Sequence, residues 1–414
     1  MRMRRTGFLR VLAIIGPGLI AANAGNDAPG IATYSSAGAQ YGYSLLWAML
    51  LIAFGVAIVQ EMAARMGAVT GKGLTDLIRE NFGVRWTLIA VIAFLIAASS
   101  TIVANFAGIG AALAFFGIPI YLSVPVIAAL IWYLVVRGSY TAVERAFLAM
   151  SLVFLGYIAS AFLARPDWSA VASGLRPRLQ TDSGYILLLV ALIGTTISPH
   201  MQLFVQSAVA EKGIRMRDYP LERLDVYLGS FFACTIATFI IITTGATLHR
   251  QGITIESAAD AAMALRPLAG PYATALFSIG LFGASMLATG VLPLATAYAV
   301  SEAFGFERGV SRSFEEAPFF TGLFTVLLVI GALVALIPGI NPIDLMIYSQ
   351  VIQGILLPVT LLFIMRLVND RDLMGDYVNS RLFNFAAWSV TVVVSILSVV
   401  LIVVTLQQAA GVIA

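Results

Sequence analysis

The chain has 414 residues, 60% of them hydrophobic and only 11% charged, with a mean hydropathy of +0.94. Soluble domains carry about 25% charged residues, so the composition excludes one and calls for a polytopic membrane protein in a lipid bilayer. The net charge of +3 is slight, reflects topology more than partners, and implies no nucleic acid.

The start, "MRMRRTGFLRVLAIIGPGLIAA", has the basic and apolar regions of a signal peptide but no cleavage context after them. It is read as part of a first transmembrane helix. Eleven spans are expected, near 9–38, 43–66, 85–115, 119–137, 141–164, 183–210, 222–248, 270–305, 318–338, 342–368 and 386–406. The stretch "GKGLTDLIRENFG" (71–83) is too polar to span and reads as a short amphipathic surface helix. With the N-terminus in the cytoplasm, all but five of the 24 Lys and Arg fall on cytoplasmic segments. The exceptions are Arg165, Arg176, Arg178, Arg250 and Arg266. This split follows the positive-inside rule and places the C-terminus outside. The single cysteine, Cys234, excludes disulfides and a cysteine-based metal site, and reads as small apolar packing.

Two spans are interrupted more than the others. The first carries "GNDAPG" (25–30), and the sixth carries "GTTISPHMQ" (194–202). Proline removes a backbone donor and clashes with the preceding turn, and glycine loosens it. Each segment should unwind, and since lipid cannot satisfy the freed groups, the breaks must face a polar cavity inside the protein. Breaks in the first and sixth of eleven spans fit inverted repeats of five, about 9–164 and 183–368. An extra helix, 386–406, would complete a single transmembrane domain. In such folds substrate binds at mid-membrane, between the broken helices.

Asp27 is the only carboxylate deep in any span, and His200 the only deep histidine. Glu61, Glu144, Asp225, Glu302 and Asp344 fall near span ends, where water is within reach. An intramembrane acid costs a few kcal/mol even on the lenient insertion scales, which marks Asp27 as functional. His200, beside a proline break, reads equally as a gating or proton-handling group and as a partner for a loose carbonyl. One carboxylate with carbonyl, hydroxyl and amide oxygens suits a hard cation. Without Lys or Arg nearby it does not suit an anion. No phosphate-binding loop, catalytic triad or ATPase motif is present, so neither an enzyme nor ATP-driven transport is expected, and no cofactor is called for. Asn23 and Asn26 are further candidate ligands, or caps and interhelical donors. Gln202 and Gln206, four residues apart on the second half of span six, would line a hydrophilic inner path or bond between helices.

At "NDAPGIATYSSAGAQYGYSLLW" (26–47) the chain resembles the first helix of the Nramp family of divalent metal transporters. That family's motif there is Asp-Pro-Gly-Asn, then Ala-Thr and a Gln-aromatic-Gly-Tyr run. The likeness continues in "AARMGAVTGKGL" (63–74), in "SPH" (198–200) where the family has Met-Pro-His, and in "SQVIQGILLP" (349–358). The resemblance implies an all-α, leucine-transporter-type fold of eleven helices in a 5+5 inverted repeat. It further implies that a metal ion meets the Asp27 carboxylate, the backbone carbonyls near Ala24 and Thr195, and the Ser198 hydroxyl, with Gln350 joining on occlusion.

The departures set the expected selectivity. Gly30 stands where the family has asparagine, the proline has slid to Pro29, and Ser198 replaces a methionine thioether. In "STIVANFAGIGAALAFFGIP" (100–119), Ile102 and Asn105 stand where the family carries two acids tied to proton transport. Losing the thioether removes the preference for soft transition metals. Gly30 and Ser198 widen the site, unless they serve close helix packing. Magnesium dehydrates reluctantly and is usually held by one or two carboxylates plus waters. The pattern is similar to the prokaryotic Nramp-related magnesium transporters. The sequence therefore implies uptake of Mg²⁺, with Mn²⁺, across a bacterial inner membrane without proton coupling. The alternatives are a proton-coupled Mn²⁺/Fe²⁺ importer and an organic-cation or amino-acid symporter of the same fold. Nothing fixes the oligomeric state, and a monomer is compatible with it.

Overall fold

The computed structural model describes residues 26–137, 155–309 and 314–409. Within them the secondary structure is helical, with no strand. Helix α1 (Ala28–Tyr41) is the second half of the first span, with Asp27 as its N-cap and proline in its first turn, where a missing N–H costs nothing. The earlier half of that span, with Asn23 and Ala24, lies outside the described residues, as do Glu144 and the start of the fifth span.

α2 (Leu46–Thr70) follows, then the expected surface helix, α3 (Leu74–Phe82), which buries Leu74, Leu77 and Ile78. α4 (Val84–Ala114), α5 (Ile120–Arg137) and α6 (Leu155–Leu163) cover spans three, four and the end of five, and α7 (Trp168–Gly174) is a short connector. The sixth span is two helices, α8 (Ser183–Thr196) and α9 (Pro199–Glu211). α10 (Tyr219–Thr247), α11 (Ala273–Phe304), α12 (Pro318–Ala335), α13 (Pro342–Val368) and α14 (Arg381–Ala409) complete the described chain. Eight helical stretches among the described residues are long and apolar enough to cross a membrane, and Ile120–Val136 is a shorter apolar one.

Burial separates centre from periphery. The apolar window of α8–α9 is 89% buried, that of α14 only 22%. α14 presents Phe385, Val392, Val393, Ile396 and Val399 outward, as a lipid-facing helix would. α1 lies against α8, α10 and α13, and α9 against α2 and α11, so both broken segments are enclosed. α8 and α13 meet backbone to backbone. A Cβ on Gly194 would fall 2.1 Å from the Gln350 carbonyl oxygen, and one on Gly354 would fall 2.5 Å from that of Val190. Only glycine permits this approach, which is how membrane helices pack without a hydrophobic driving force.

Candidate functional site

The break in the sixth span is local and has a covalent cause. Ser198 precedes a proline, which disfavours helical backbone, and it is extended, at φ −66° and ψ 146°. Thr195 precedes Pro199 by four residues, so its carbonyl cannot receive the helical bond from that position. The start of α1 is set by Asp27. Its Oδ1 accepts the Gly30 N–H at 2.8 Å and its Oδ2 accepts the Asn105 amide at 2.7 Å.

Asn105 comes from α4 and grips the break twice. Its Nδ2 also reaches the Thr101 carbonyl at 3.0 Å, while its Oδ1 accepts the Ala28 N–H at 3.3 Å. A carboxylate has about four lone-pair sites, and among the described residues Gly30 and Asn105 each occupy one, on different oxygens. This leaves the carboxylate room for a cation.

The second break is held from α13. Gln353 Nε2 lies 3.0 Å from His200 Nδ1, 2.9 Å from Thr101 Oγ1 and 3.1 Å from the Ala97 carbonyl. With the Gln353 amide donating to Nδ1, His200 carries its proton on Nε2 and donates to Ser198 Oγ, 3.2 Å away. A buried polar chain thus links the two breaks: Asp27, Asn105, Thr101, Gln353, His200, Ser198. Every member is at most 5% exposed. Sequence reasoning named the ends of this chain and noted Asn105 only as a lost acid. It did not name Thr101 or Gln353. The signals were present: Thr101 and Asn105 are one turn apart on an apolar span, and Ser349, Gln350 and Gln353 form a polar stripe on another.

The other expected residues fall as follows. Gly30 supplies the N–H that fixes Asp27. Asn26 donates to the Ala233 carbonyl at 3.2 Å, an interhelical bond to α10. Thr195 is buried at the end of α8, and its neighbour Thr196 bonds the Tyr34 hydroxyl of α1 at 3.0 Å. The Gln350 amide donates to its neighbour Ser349 at 2.9 Å, and its backbone carbonyl abuts Gly194. Ala24 lies outside the described residues. Ile102 does not face Asp27. It packs with Phe106 and Phe324 in an apolar cluster, its Cγ2 within 2.5 Å of where a Gly331 Cβ would stand.

One expectation is corrected. Glu61, Asp225 and Glu302 do not reach water and are 4%, 2% and 1% exposed. Glu61 pairs with Arg65 at 3.2 Å and accepts the Tyr219 hydroxyl. Glu302 accepts from Thr75 and Ser207 and forms an ion pair with Arg308 at 3.5 Å. For Glu61 and Glu302, hydroxyls from neighbouring helices, invisible in linear sequence, help to compensate this burial. Asp344 is exposed as expected. No group of three or more His, Cys, Asp or Glu converges among the described residues. The site offers one carboxylate amid neutral oxygen donors.

A span broken into α8 and α9, joined by a buried polar chain to the Asp27-capped start of α1 within a helical bundle, fits a transporter of the leucine-transporter-type fold. The manganese transporter of Eremococcus coleocola superposes with a TM-score of 0.77 at 21% identity, over 96% of this chain and 88% of that one. MhsT, solved in complex with L-phenylalanine, superposes with 0.61 at 16% identity, covering 96% and 98%. In sequence, a "Divalent metal cation transporter MntH" of Deinococcus radiodurans is 30% identical over 403 residues, 94% of this chain and 89% of the relative. The profile of the Natural resistance-associated macrophage protein-like (Nramp) family matches residues 18–404. The chain belongs to the Nramp family, whose members are transporters and not enzymes.

Proposed function

We propose that this chain is a secondary transporter that takes up divalent cations, Mg²⁺ and with it Mn²⁺, by alternating access without proton coupling. The observation that carries this reading is Asp27: a buried carboxylate held by the neutral N–H groups of Gly30 and Asn105 and joined to Ser198 through a buried polar chain. Asp27 bears the charge, Ser198 and the carbonyls of Thr195 and Ala24 complete the shell, Asn26 and Gly30 lie on the Asp27 segment, and Gln350 joins from α13 on occlusion. His200 orients Ser198 instead of carrying protons. The reading includes eleven spans in two inverted repeats of five, in a bacterial cytoplasmic membrane. The N-terminus is inside and the C-terminus outside, as the Lys and Arg bias requires. The membrane potential then favours entry by about 2.3 kcal/mol per charge per 100 mV.

Divalent-cation transport is supported by the name of the MntH relative. That name and the manganese transporter of the superposed structure favour a second reading, a proton-coupled Mn²⁺/Fe²⁺ importer. Against it stand Ser198 for the thioether, and Asn105 and Ile102 for the two acids. Reconstitution in liposomes, following Mg²⁺ and Mn²⁺ entry together with internal pH, decides between them. Entry of both ions with no acidification is expected. Mn²⁺ uptake with acidification and no Mg²⁺ uptake selects the second reading. Asp27→Ala should abolish uptake while folded protein is retained, and surviving transport would relocate the site. Ser198→Met should shift the Mg²⁺/Mn²⁺ rate ratio toward Mn²⁺, because a thioether is a soft ligand; an unmoved ratio counts against the softness argument.

A further inference from the structure

Beyond Ser198, α9 continues with Gln202 and Gln206 at successive four-residue steps. The three share one helix face, with the glutamines about 6 and 12 Å further along the axis. Both glutamines are fully buried. Neither amide atom of Gln202 has a hydrogen-bond partner among the described residues. Gln206 donates through Nε2 to the Lys72 carbonyl at 3.1 Å, but its Oε1 also has none. Burying an amide unpaired is costly, and buried polar groups are otherwise hydrogen-bonded. Interhelical bonding accounts for half of Gln206 and for nothing of Gln202.

The stripe leads somewhere. Ser207, next to Gln206, and Gly71, next to Lys72, line a cavity of about 340 Å³ with Glu211, Glu302, Glu307 and Arg308. Three carboxylates against one guanidinium suit a cation more than an anion. The unpaired groups are chiefly carbonyl oxygens, donors suited to hard divalent ions and to the water shells that such ions retain.

We propose that Gln202 and Gln206 form a second station for a divalent cation, between the Asp27–Ser198 site and the acidic cavity at the cytoplasmic end of α9. The amide oxygens hold the ion directly or through its waters. This rests on the cation-uptake reading above and adds to it a site with no charge of its own. A neutral station binds weakly enough to release the ion onward, which conduction through successive sites requires.

The test uses the full-length protein. Methionine matches glutamine in length and flexibility without its polar atoms, so Gln202→Met should fold, as a thermal melt checks. It should slow initial Mg²⁺ entry into liposomes roughly tenfold. Mg²⁺ binding in detergent, measured by titration calorimetry, should stay within about twofold because the Asp27 site is intact. Gln202→Glu in an Asp27→Ala background should regain a bound Mn²⁺, seen by electron paramagnetic resonance, that Asp27→Ala alone lacks. Wild-type uptake by Gln202→Met would overturn the station and leave the stripe holding ordered water only. Failure of the double variant, Asp27→Ala with Gln202→Glu, to bind Mn²⁺ would overturn it as well, and decides the matter if the methionine variant misfolds. Transport by Asp27→Ala itself is a separate result, which refutes the ligand assignment at Asp27 and not the station.

Discussion

The Asp27 carboxylate is held in a fixed orientation by the Gly30 N–H on one oxygen and a neutral side chain on the other. Asn105 donates to Asp27 Oδ2 at 2.7 Å and accepts the Ala28 N–H at 3.3 Å, so it fixes the carboxylate and the first turn of α1 together. Leucine at 105 fills similar space and offers neither bond. Leaving buried partners unsatisfied costs about 1–3 kcal/mol, so Asn105→Leu should lower the melting temperature and weaken Mn²⁺ binding in calorimetry. A variant that melts and binds like the parent would show that Asp27 is positioned by other means. Asp27, Ser198 and His200 were legible in the sequence because a bilayer tolerates a lone carboxylate or a proline break only with a reason. Asn105, Thr101 and Gln353 were not, because their roles depend on which faces of α4 and α13 meet the breaks. A few polar residues on such apolar helices mark a face but do not say what that face meets. The same gap separated Asn105, which faces Asp27, from Ile102, which faces the α12 side.

The broken elements are also tied at their far ends. Asp182 caps α8 by accepting the Tyr185 N–H at 3.0 Å, and it accepts the hydroxyl of Tyr41 from the last turn of α1. The spans and both breaks could be read from apolar runs, prolines and glycines, but this tie joins residues 141 positions apart, and no periodicity announces it. Losing an N-cap costs about 1 kcal/mol, so Asp182→Ala should reduce stability by that order and Asp182→Asn by less. The Tyr41 hydroxyl, then the Tyr185 N–H, holds the Asp182 carboxyl below its usual range. A depressed folded-state value means that the stabilisation is complete above the unfolded value, about 3.9, and is lost as pH falls through the folded one. Because Asp182 is solvent-exposed, screening keeps this contribution below about 1 kcal/mol. Melts between about pH 3 and 6 should therefore show a small acid-side loss in the parent that Asp182→Asn lacks. Identical slopes would remove the carboxylate from the tie.

For the molecule as a whole, alternating access requires that the contacts closing one face can be broken without unfolding the bundle. On the face opposite Asp182, Glu302 of α11 accepts the hydroxyls of Thr75 at 2.9 Å and Ser207 at 2.7 Å, and lies 3.5 Å from Arg308, which pairs with Asp76 at 2.6 Å. One carboxylate thereby joins α3, α9 and α11. The join depends on Gly73, where a Cβ would fall 1.9 Å from Glu302 Oε2. Gly73 has an ordinary extended backbone, at φ −73° and ψ 165°, so alanine there is a purely steric insult. Overpacking typically costs about 1–3 kcal/mol. In Gly73→Ala that cost falls on the closed arrangement, displaces the Glu302 carboxylate and so frees α9, which Ser207 ties to it. Ala210, on the cavity side of α9, reports the separation. With buried Cys234 replaced by serine, a cysteine introduced by Ala210→Cys should react with a membrane-impermeant maleimide severalfold faster when Gly73→Ala is also present. Equal labelling rates with and without Gly73→Ala would mean that the Glu302 contacts do not hold this face closed, and that closure resides elsewhere in the bundle.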